Sequence, residues 1–287
     1  MGSKIILVTA ITTLFSASSL FAQDKWANTE ITSQHVSGSV HMLEGMGGNI
    51  GVSAGEQGIL IIDDQFAPLA EKIATAIGEI AKTPMKYVVN THYHGDHTGS
   101  NAYFTEIQGS TIFAHDNVRK RLADKAEHSH SELPVVTYQQ GITFHFNGDT
   151  IKVMHMPAGH TDSDSVVWFE DANVLHPGDL FFEGRFPYID LEGGGTVAGY
   201  IKNVTKLLGM LKDDTKIIPG HGNLATKADY QKALDMLVDT AAMVKTMKDK
   251  GVSVEDAVKQ GLGEKYTAWA WDFITEEKWI TTLYTGQ

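Results

Sequence analysis

The chain has 287 residues, 42% of them apolar, and carries 35 acidic against 23 basic side chains for a formal net charge of −12. That balance makes it a poor binder of phosphate backbones and argues against a nucleic-acid partner. Cysteine is absent, which removes disulfides, thiolate nucleophiles and thiolate metal ligands, so the fold must rest on its apolar core and on any ions its imidazoles and carboxylates hold.

Met1-Gly-Ser-Lys4 gives a basic start, Ile5 to Phe21 an apolar run interrupted by Ser and Thr, and Ala22 a small-residue end. This is the pattern of a secretory signal peptide over 1–22, cleaved after Ala22 with Ser19 as the alternative, and it sends the mature chain to the periplasm or outside the cell. As a membrane anchor the run is too short and too polar, and Gln23-Asp24-Lys25 follows it directly. No later segment is apolar enough to span a bilayer, so no stable membrane insertion is expected. Loss of Lys4 with the signal leaves 22 basic against 35 acidic residues, or −13.

Strands are expected at Val36–Leu43, Asn49–Ala54 and Gly58–Ile62, then an amphipathic helix over 68–82 closed by Thr83-Pro84. Met85–Asn90 reads as a buried strand. Beyond it come a strand at Thr111–Ala114, a helix from Asp116 to Lys125, and strands at Val135–Tyr138, Ile142–Phe146, Thr150–Met156 and Ser165–Phe169. Two successive strand-then-helix halves make an α/β (α+β) chain with helices outside a pair of facing sheets. Thr226-Lys-Ala-Asp229 and Ser253-Val-Glu-Asp256 read as capping boxes that open helices, so 226–287 is a helical extension of one domain over 23–225. In it Tyr230, Leu234, Leu237, Val238, Ala241 and Val244 recur at helical spacing, and Trp269, Trp271, Phe273 and Trp279 cluster; both sets read as core packing.

Between these elements, Thr91 to Asn101 reads T-H-Y-H-G-D-H-T-G-S-N, which puts His92, His94, Asp96 and His97 within six positions in a chain holding 13 histidines. An extended chain directs residues i and i+2 to one side, so His92 and His94 point together, and Gly95 permits a turn that swings Asp96 and His97 towards the same space. This is a metal-site pattern with more ligands than one ion uses. Three further strand ends carry Pro or Gly turn signals beside a donor: Pro157-Ala-Gly-His160, Leu175-His-Pro-Gly-Asp179 and Ile217-Ile-Pro-Gly-His221.

That order, H-x-H-x-D-H followed by His, Asp and His at successive strand ends, resembles the metallo-β-lactamase superfamily from about Val36 to His221. The resemblance implies a four-layer αββα sandwich with metals at one end of its sheets. It implies that His92, His94 and His160 hold one ion, that Asp96, His97 and His221 hold a second, and that Asp179 bridges them. Asp63 or Asp64, after the strand Ile59–Ile62, matches the family's acid that orients a ligand imidazole. Sulfur-free His/Asp ligation favours two zinc ions, with iron or manganese tolerated by the same donors. Two such ions sharing a water make hydroxide available near neutral pH for direct attack on a carbonyl, with Asp96 orienting it and carrying its proton. The expected activity is hydrolysis of a small-molecule amide, ester or thioester, with the β-lactam ring leading; phosphodiesterase, lactonase and glyoxalase II-like thioesterase activities are alternatives. β-Lactamases with a metal-binding cysteine have it where this chain has Asp179, and a substrate-binding lysine where it has Phe182. A mononuclear iron, persulfide dioxygenase-like oxidoreductase is the alternative from another class.

Two loops are expected to shape the pocket. Glu44-Gly-Met-Gly-Gly-Asn49 carries Met46 between glycines and suits either a flap or an ordinary hairpin turn. Phe181 to Tyr188, with Phe182, starts beside Asp179; its cation Arg185 either anchors an anionic substrate group or, the favoured reading, neutralises Glu183 and Asp190. The other histidines read as structural or solvated, His128-Ser-His130 as an exposed loop, and His176 as a candidate to support Asp179.

Overall fold

The computed structural model describes residues 25–125 and 129–286. The signal-peptide reading of 1–22, with its cleavage at Ala22 or Ser19, and His128 lie outside the described residues. Strands β1 (Thr32–Ser37), β2 (Val40–Glu44), β3 (Ile50–Gly55) and β4 (Gly58–Ile62) form an antiparallel meander. β5 (Met85–Asn90), β6 (Thr111–His115) and β7 (Val136–Tyr138) add to it in parallel, giving a seven-stranded sheet in chain order. The single strand expected over Val36–Leu43 is instead a hairpin. Gly38 adopts φ +55°, a left-handed conformation open to glycine, and Ser37 pairs with Val40 across the turn.

The second, six-stranded sheet comprises β8 (Gly141–Phe146), β9 (Asp149–His155), β10 (Ser165–Phe169), β11 (Val174–His176), β12 (Lys216–Ile217) and β13 (Ala225–Thr226), ordered β13-β12-β11-β10-β9-β8. Period-two alternation builds the layers. Leu60 and Ile62 join Val153, Val167 and Phe169 in the core between the sheets. Their neighbours Ile59 and Ile61 face outward onto Ile73 and Ile77 of helix α1 (Ala70–Ile80). On the opposite flank Val166 and Trp168 share a core with Val204 and Leu207 of a later helix, Val197–Met210, and with Leu237 of the extension. The result is the expected αββα sandwich. Burial of each such aliphatic side chain contributes about 1.5–3 kcal/mol.

Local chemistry explains where the elements depart from expectation. The stretch expected as a turn after His94 contains two short helices, α2 (Gly95–Thr98) and α3 (Asn101–Glu106). α4 (Asp116–Ala123) stops two residues before Lys125. α5 (Val197–Met210) lies where glycines and β-branched residues weaken the helical pattern; Thr196 caps it by accepting from Gly199 N at 2.9 Å. α6 (Lys227–Asp249) has both halves of the capping box at Thr226 and Asp229. At α7 (Val254–Gln260) only the Ser253 half forms. α8 (Glu276–Thr285) ends the extension and buries Trp279 completely. Val238 is 45% exposed, against its expected place in the core; Tyr230, Leu234, Leu237, Ala241 and Val244 are buried.

No described helix is long and apolar enough to cross a membrane.

Candidate metal centre

All seven expected ligands meet at one end of the sandwich, each just beyond a strand. Their donor atoms fall into two groups, His92–His94–His160–Asp179 and Asp96–His97–His221. In the first, His92 Nε2 lies 3.1 Å from His94 Nδ1 and 3.2 Å from His160 Nε2, and His160 Nε2 lies 2.9 Å from His94 Nδ1. Which nitrogens carry hydrogen follows from the partners on the far side of each ring. His160 Nδ1 donates to the Tyr188 carbonyl at 2.7 Å and His94 Nε2 to the Asp190 carboxylate at 2.9 Å. His92 Nδ1 donates to Thr91 Oγ1 at 3.0 Å, whose own hydrogen goes to Asp63 at 2.8 Å. The three inward nitrogens are therefore lone pairs crowded together. Repulsion among them is relieved by a cation at their centre. A tetrahedral ion with nitrogen ligands at about 2.0–2.1 Å sets those ligands about 3.3 Å apart, close to the spacing here.

Asp179 joins the two groups. Its Oδ2 is 3.4 Å from His160 Nε2 and 3.5 Å from His221 Nε2, and its Oδ1 is 3.1 Å from His97 Nε2. His97 Nε2 and Asp179 Oδ1 are buried with no hydrogen-bond partner, as donor atoms awaiting a cation would be. Asp96 Oδ2 completes the second group, 3.3 Å from His221 Nε2 and 3.6 Å from His97 Nε2. The donors therefore fit divalent metal ions, with Asp179 between them.

Electrostatics separates the groups. Burial holds His92 well below the ordinary imidazole value and lowers His160 to about 4, so these two rings are neutral. Burial also opposes charge on His97, but Asp179, Asp96 and Asp63 override it and hold His97 well above its ordinary value. His221 is raised to about 9 against its burial, chiefly by Asp179. Asp96, despite burial, is brought down to about 2 by His97 and His221. Protons thus occupy the second group where a cation would otherwise balance the carboxylates.

Of the two candidate orienting acids, Asp63 alone reaches a ligand. Its Oδ2 accepts from His97 Nδ1 at 2.8 Å and its Oδ1 from Thr91 N at 2.7 Å. Asp64 faces the other way and accepts from Ser100 N at 2.9 Å. Asp63 itself adopts a left-handed backbone, φ +63°. His176 supports Asp179 through the turn between them, accepting from Gly178 N at 3.2 Å.

Sequence reasoning missed Asp190, which holds His94 and accepts from the Tyr93 hydroxyl with the same oxygen. It also missed Asp164, whose carboxylate accepts from His160 N at 2.7 Å and Thr161 N at 3.0 Å and so shapes the His160 loop. The four-residue spacing from His160 to Asp164 was the available signal; Asp190 had none, because it approaches from 96 residues away.

The glycine loop is tied at its base. Gly48 N donates to Asp96 O at 3.1 Å, and Asn49 donates to Gly220, Pro219 and Gly222 carbonyls. Met46 at its tip is 41% exposed and lines a cleft of about 1020 Å³ before the metal centre. A Cβ on Gly48 would stand 2.2 Å from His97 Cε1. We therefore expect Gly48→Ala to displace His97, at a cost of about 1–3 kcal/mol in stability, and to weaken metal binding at the second group. Thermal melts and metal analysis check this; a variant with unchanged metal content would contradict it.

Phe182 also lines the cleft, its ring stacked on His221 at 5.0 Å. Arg185 does not neutralise Glu183 or Asp190, because among the described residues it makes no ion pair within 4.0 Å; its guanidinium lies 5.1 Å over the Trp271 ring. Trp271 packs against the core as expected and also lines the cleft, whereas Phe273, expected in the core, lines the cleft and is 49% exposed. Outside the centre, the rings of His115 and His155 stack at 3.7 Å, and His130 is exposed.

An αββα sandwich with a His/Asp centre at its strand ends defines a class of metallo-hydrolase. A profile of the metallo-beta-lactamase superfamily matches residues 65–221, more than half of the chain, and the chain belongs to that superfamily. The alpha subunit of 2,4-dinitroanisole O-demethylase from Nocardioides sp. (strain JS1661) is 22% identical over 206 residues, 70% of this chain and 61% of that subunit. This chain thus spans less than two thirds of that relative. The probable metallo-hydrolase YqgX of Bacillus subtilis (strain 168) is 30% identical over 176 residues, 57% of this chain and 82% of its own. A metallo-beta-lactamase from Pontibacter korlensis superposes with a TM-score of 0.63 at 19% identity, over 72% of this chain and 99% of that enzyme. At that identity the likeness is one of fold.

Proposed function

We propose that the protein is an exported, zinc-dependent hydrolase acting on an amide, ester or thioester carbonyl, with β-lactam ring opening as the leading reaction. Export rests on Lys4, the apolar run to Phe21 and Ala22. The observation that carries the hydrolase reading is the trio of inward imidazole lone pairs on His92, His94 and His160, joined through Asp179 to Asp96, His97 and His221 at the floor of an open cleft. Divalent ions bound there supply Lewis acidity and a water whose pKa is lowered to about 7. Zinc suits the imidazole and carboxylate donors, with iron and manganese as competitors.

The chain's own residues do the rest. Asp96, with a side chain 25% exposed and Oδ2 turned to the centre, orients the attacking water and takes its proton to the departing atom. His94 is held for ligation by Asp190, His97 by Asp63 and His160 by the Tyr188 carbonyl, so the centre is preset before substrate arrives. Phe182 covers one side of His221 and keeps bulk water from it.

The test is metal analysis followed by a panel of β-lactam, lactone, thioester and phosphodiester substrates. We expect about two zinc ions per chain, taken up with proton release at pH 7, since His97 and His221 are protonated without metal and must lose those protons to bind it. Affinity therefore rises with pH from neutrality through about 9, the His221 value. A single iron per chain would replace hydrolysis by the oxidoreductase reading. Turnover confined to lactones, thioesters or phosphodiesters would move the substrate and keep the mechanism.

A further inference from the structure

One wall of the cleft comes from beyond the superfamily-matched segment, which ends at residue 221. Trp271 and Phe273 belong to the turn before α8 and reach back over the metal centre. The indole is fixed in advance: its Nε1–H donates to the Phe186 carbonyl at 2.9 Å, and Trp271 N donates to Ile274 O at 3.1 Å. Its ring lies 6.4 Å from His221 and 6.2 Å from Phe182, so a substituent close to the reacting bond meets it. Phe273 stands at the mouth against Tyr188 and Trp271, at 5.4 and 5.6 Å, with half its surface in water. Preset aromatic faces around an opening bind flat apolar groups at little ordering cost.

Arg185 gives this wall a charge. In a chain of net charge −12 it makes no ion pair among the described residues, and its one hydrogen bond runs from Nε to the Glu183 carbonyl at 3.3 Å. Of the acids around it, Asp272 lines the same cleft and makes no ion pair with it, and two others are engaged elsewhere. Asp190 accepts from Tyr93, His94 and Gly193, and Glu183 Oε2 lies 3.4 Å from Asn223 N. Lys25, the other cation lining the cleft, lies 4.4 Å over Trp26. A guanidinium facing a cleft without a carboxylate partner is a ready docking point for one, because its fork matches both oxygens.

We propose that Arg185, Trp271 and Phe273 form a substrate subsite that selects small molecules bearing a flat aromatic group and a carboxylate. The proposal deepens the hydrolase reading and rests on it for the direction in which the cleft is used. Its test needs no turnover. The metal-free full chain is titrated calorimetrically with 2-naphthoate, its neutral amide 2-naphthamide, and cyclohexanecarboxylate, and the titrations are repeated with Arg185→Met and Phe273→Ala after circular dichroism and melting have shown both variants folded. We expect naphthoate to bind about tenfold or more tightly than either comparison ligand. Arg185→Met should erase the preference over the amide and leave the amide's own affinity in place. Phe273→Ala, a change at an exposed side chain, should weaken both naphthyl ligands and spare cyclohexanecarboxylate. Equal naphthoate affinity in wild type and both variants, no preference among the three ligands, or no binding at the solubility limit would each overturn the subsite. A protein with this binding pattern that hydrolyses nothing would instead sink the hydrolase reading and leave the subsite standing.

Discussion

Asp96→Asn is expected to lower kcat by about 10²- to 10⁴-fold in protein saturated with metal, the range general acid–base assistance supplies. The substitution keeps the side chain's size and one oxygen donor while removing the charge and the capacity to carry a proton. Among the candidate ligands Asp96 is the best placed to carry one, because its side chain is a quarter exposed to the cleft where Asp179 is closed in. His97→Ala provides the comparison. It removes a ligand from the same group and no proton carrier, so added zinc restores part of its turnover. If excess zinc returned Asp96→Asn to near wild-type rates, Asp96 would be a ligand alone, and the leaving-group proton would come from solvent or another group.

Asp63→Asn is expected to weaken divalent-metal binding at the second group by about 10–100-fold, the usual effect of losing a carboxylate behind a ligand imidazole. The Asp63 carboxylate is fully buried and takes three hydrogens, from Thr91 N, Thr91 Oγ1 and His97 Nδ1. An amide can still accept from Thr91 N, but it then offers its own N–H to His97 Nδ1. That contact is tolerated only if the His97 proton moves to Nε2, the atom that must ligate. Asp64→Asn is the control. Burial raises the Asp64 carboxyl well above its usual value, and it touches no ligand imidazole, so an amide there leaves zinc affinity near wild type. Chelator competition measures both; equal losses at the two positions would remove Asp63 from its orienting role.

The order of strands and the seven donors was legible because each is a local signal. Continuous apolar runs mark β4, β5 and β10 and an alternating one marks β9, and the donors follow β5, β9, β11 and β12 beside Gly or Pro. The turn at Gly38 hid inside an apolar run, since one glycine interrupts the pattern without ending it. α5 was obscured by Gly199, Gly209 and its β-branched residues; its stability comes from packing Val204 and Leu207 against the second sheet.

The sequence by itself determined which groups could hold metal, because H-x-H-x-D-H and the later His, Asp and His are fixed by residue type and spacing. It also determined that no thiolate takes part, because the chain has no cysteine. Tertiary structure decided which nitrogen of each imidazole faces the metal, since that choice belongs to Asp190, Tyr188 O and Asp63, lying 96, 28 and 34 residues from the rings they hold. It chose between Asp63 and Asp64 by setting the first against Thr91 and His97 and the second against Ser100. It also turned one side of Trp271, which still packs on the core, and most of Phe273 towards the cleft that Arg185 lines. Hydrophobicity specifies that an aromatic ring must find apolar company, but whether that company is the core or the wall of a cleft depends on where the chain folds back.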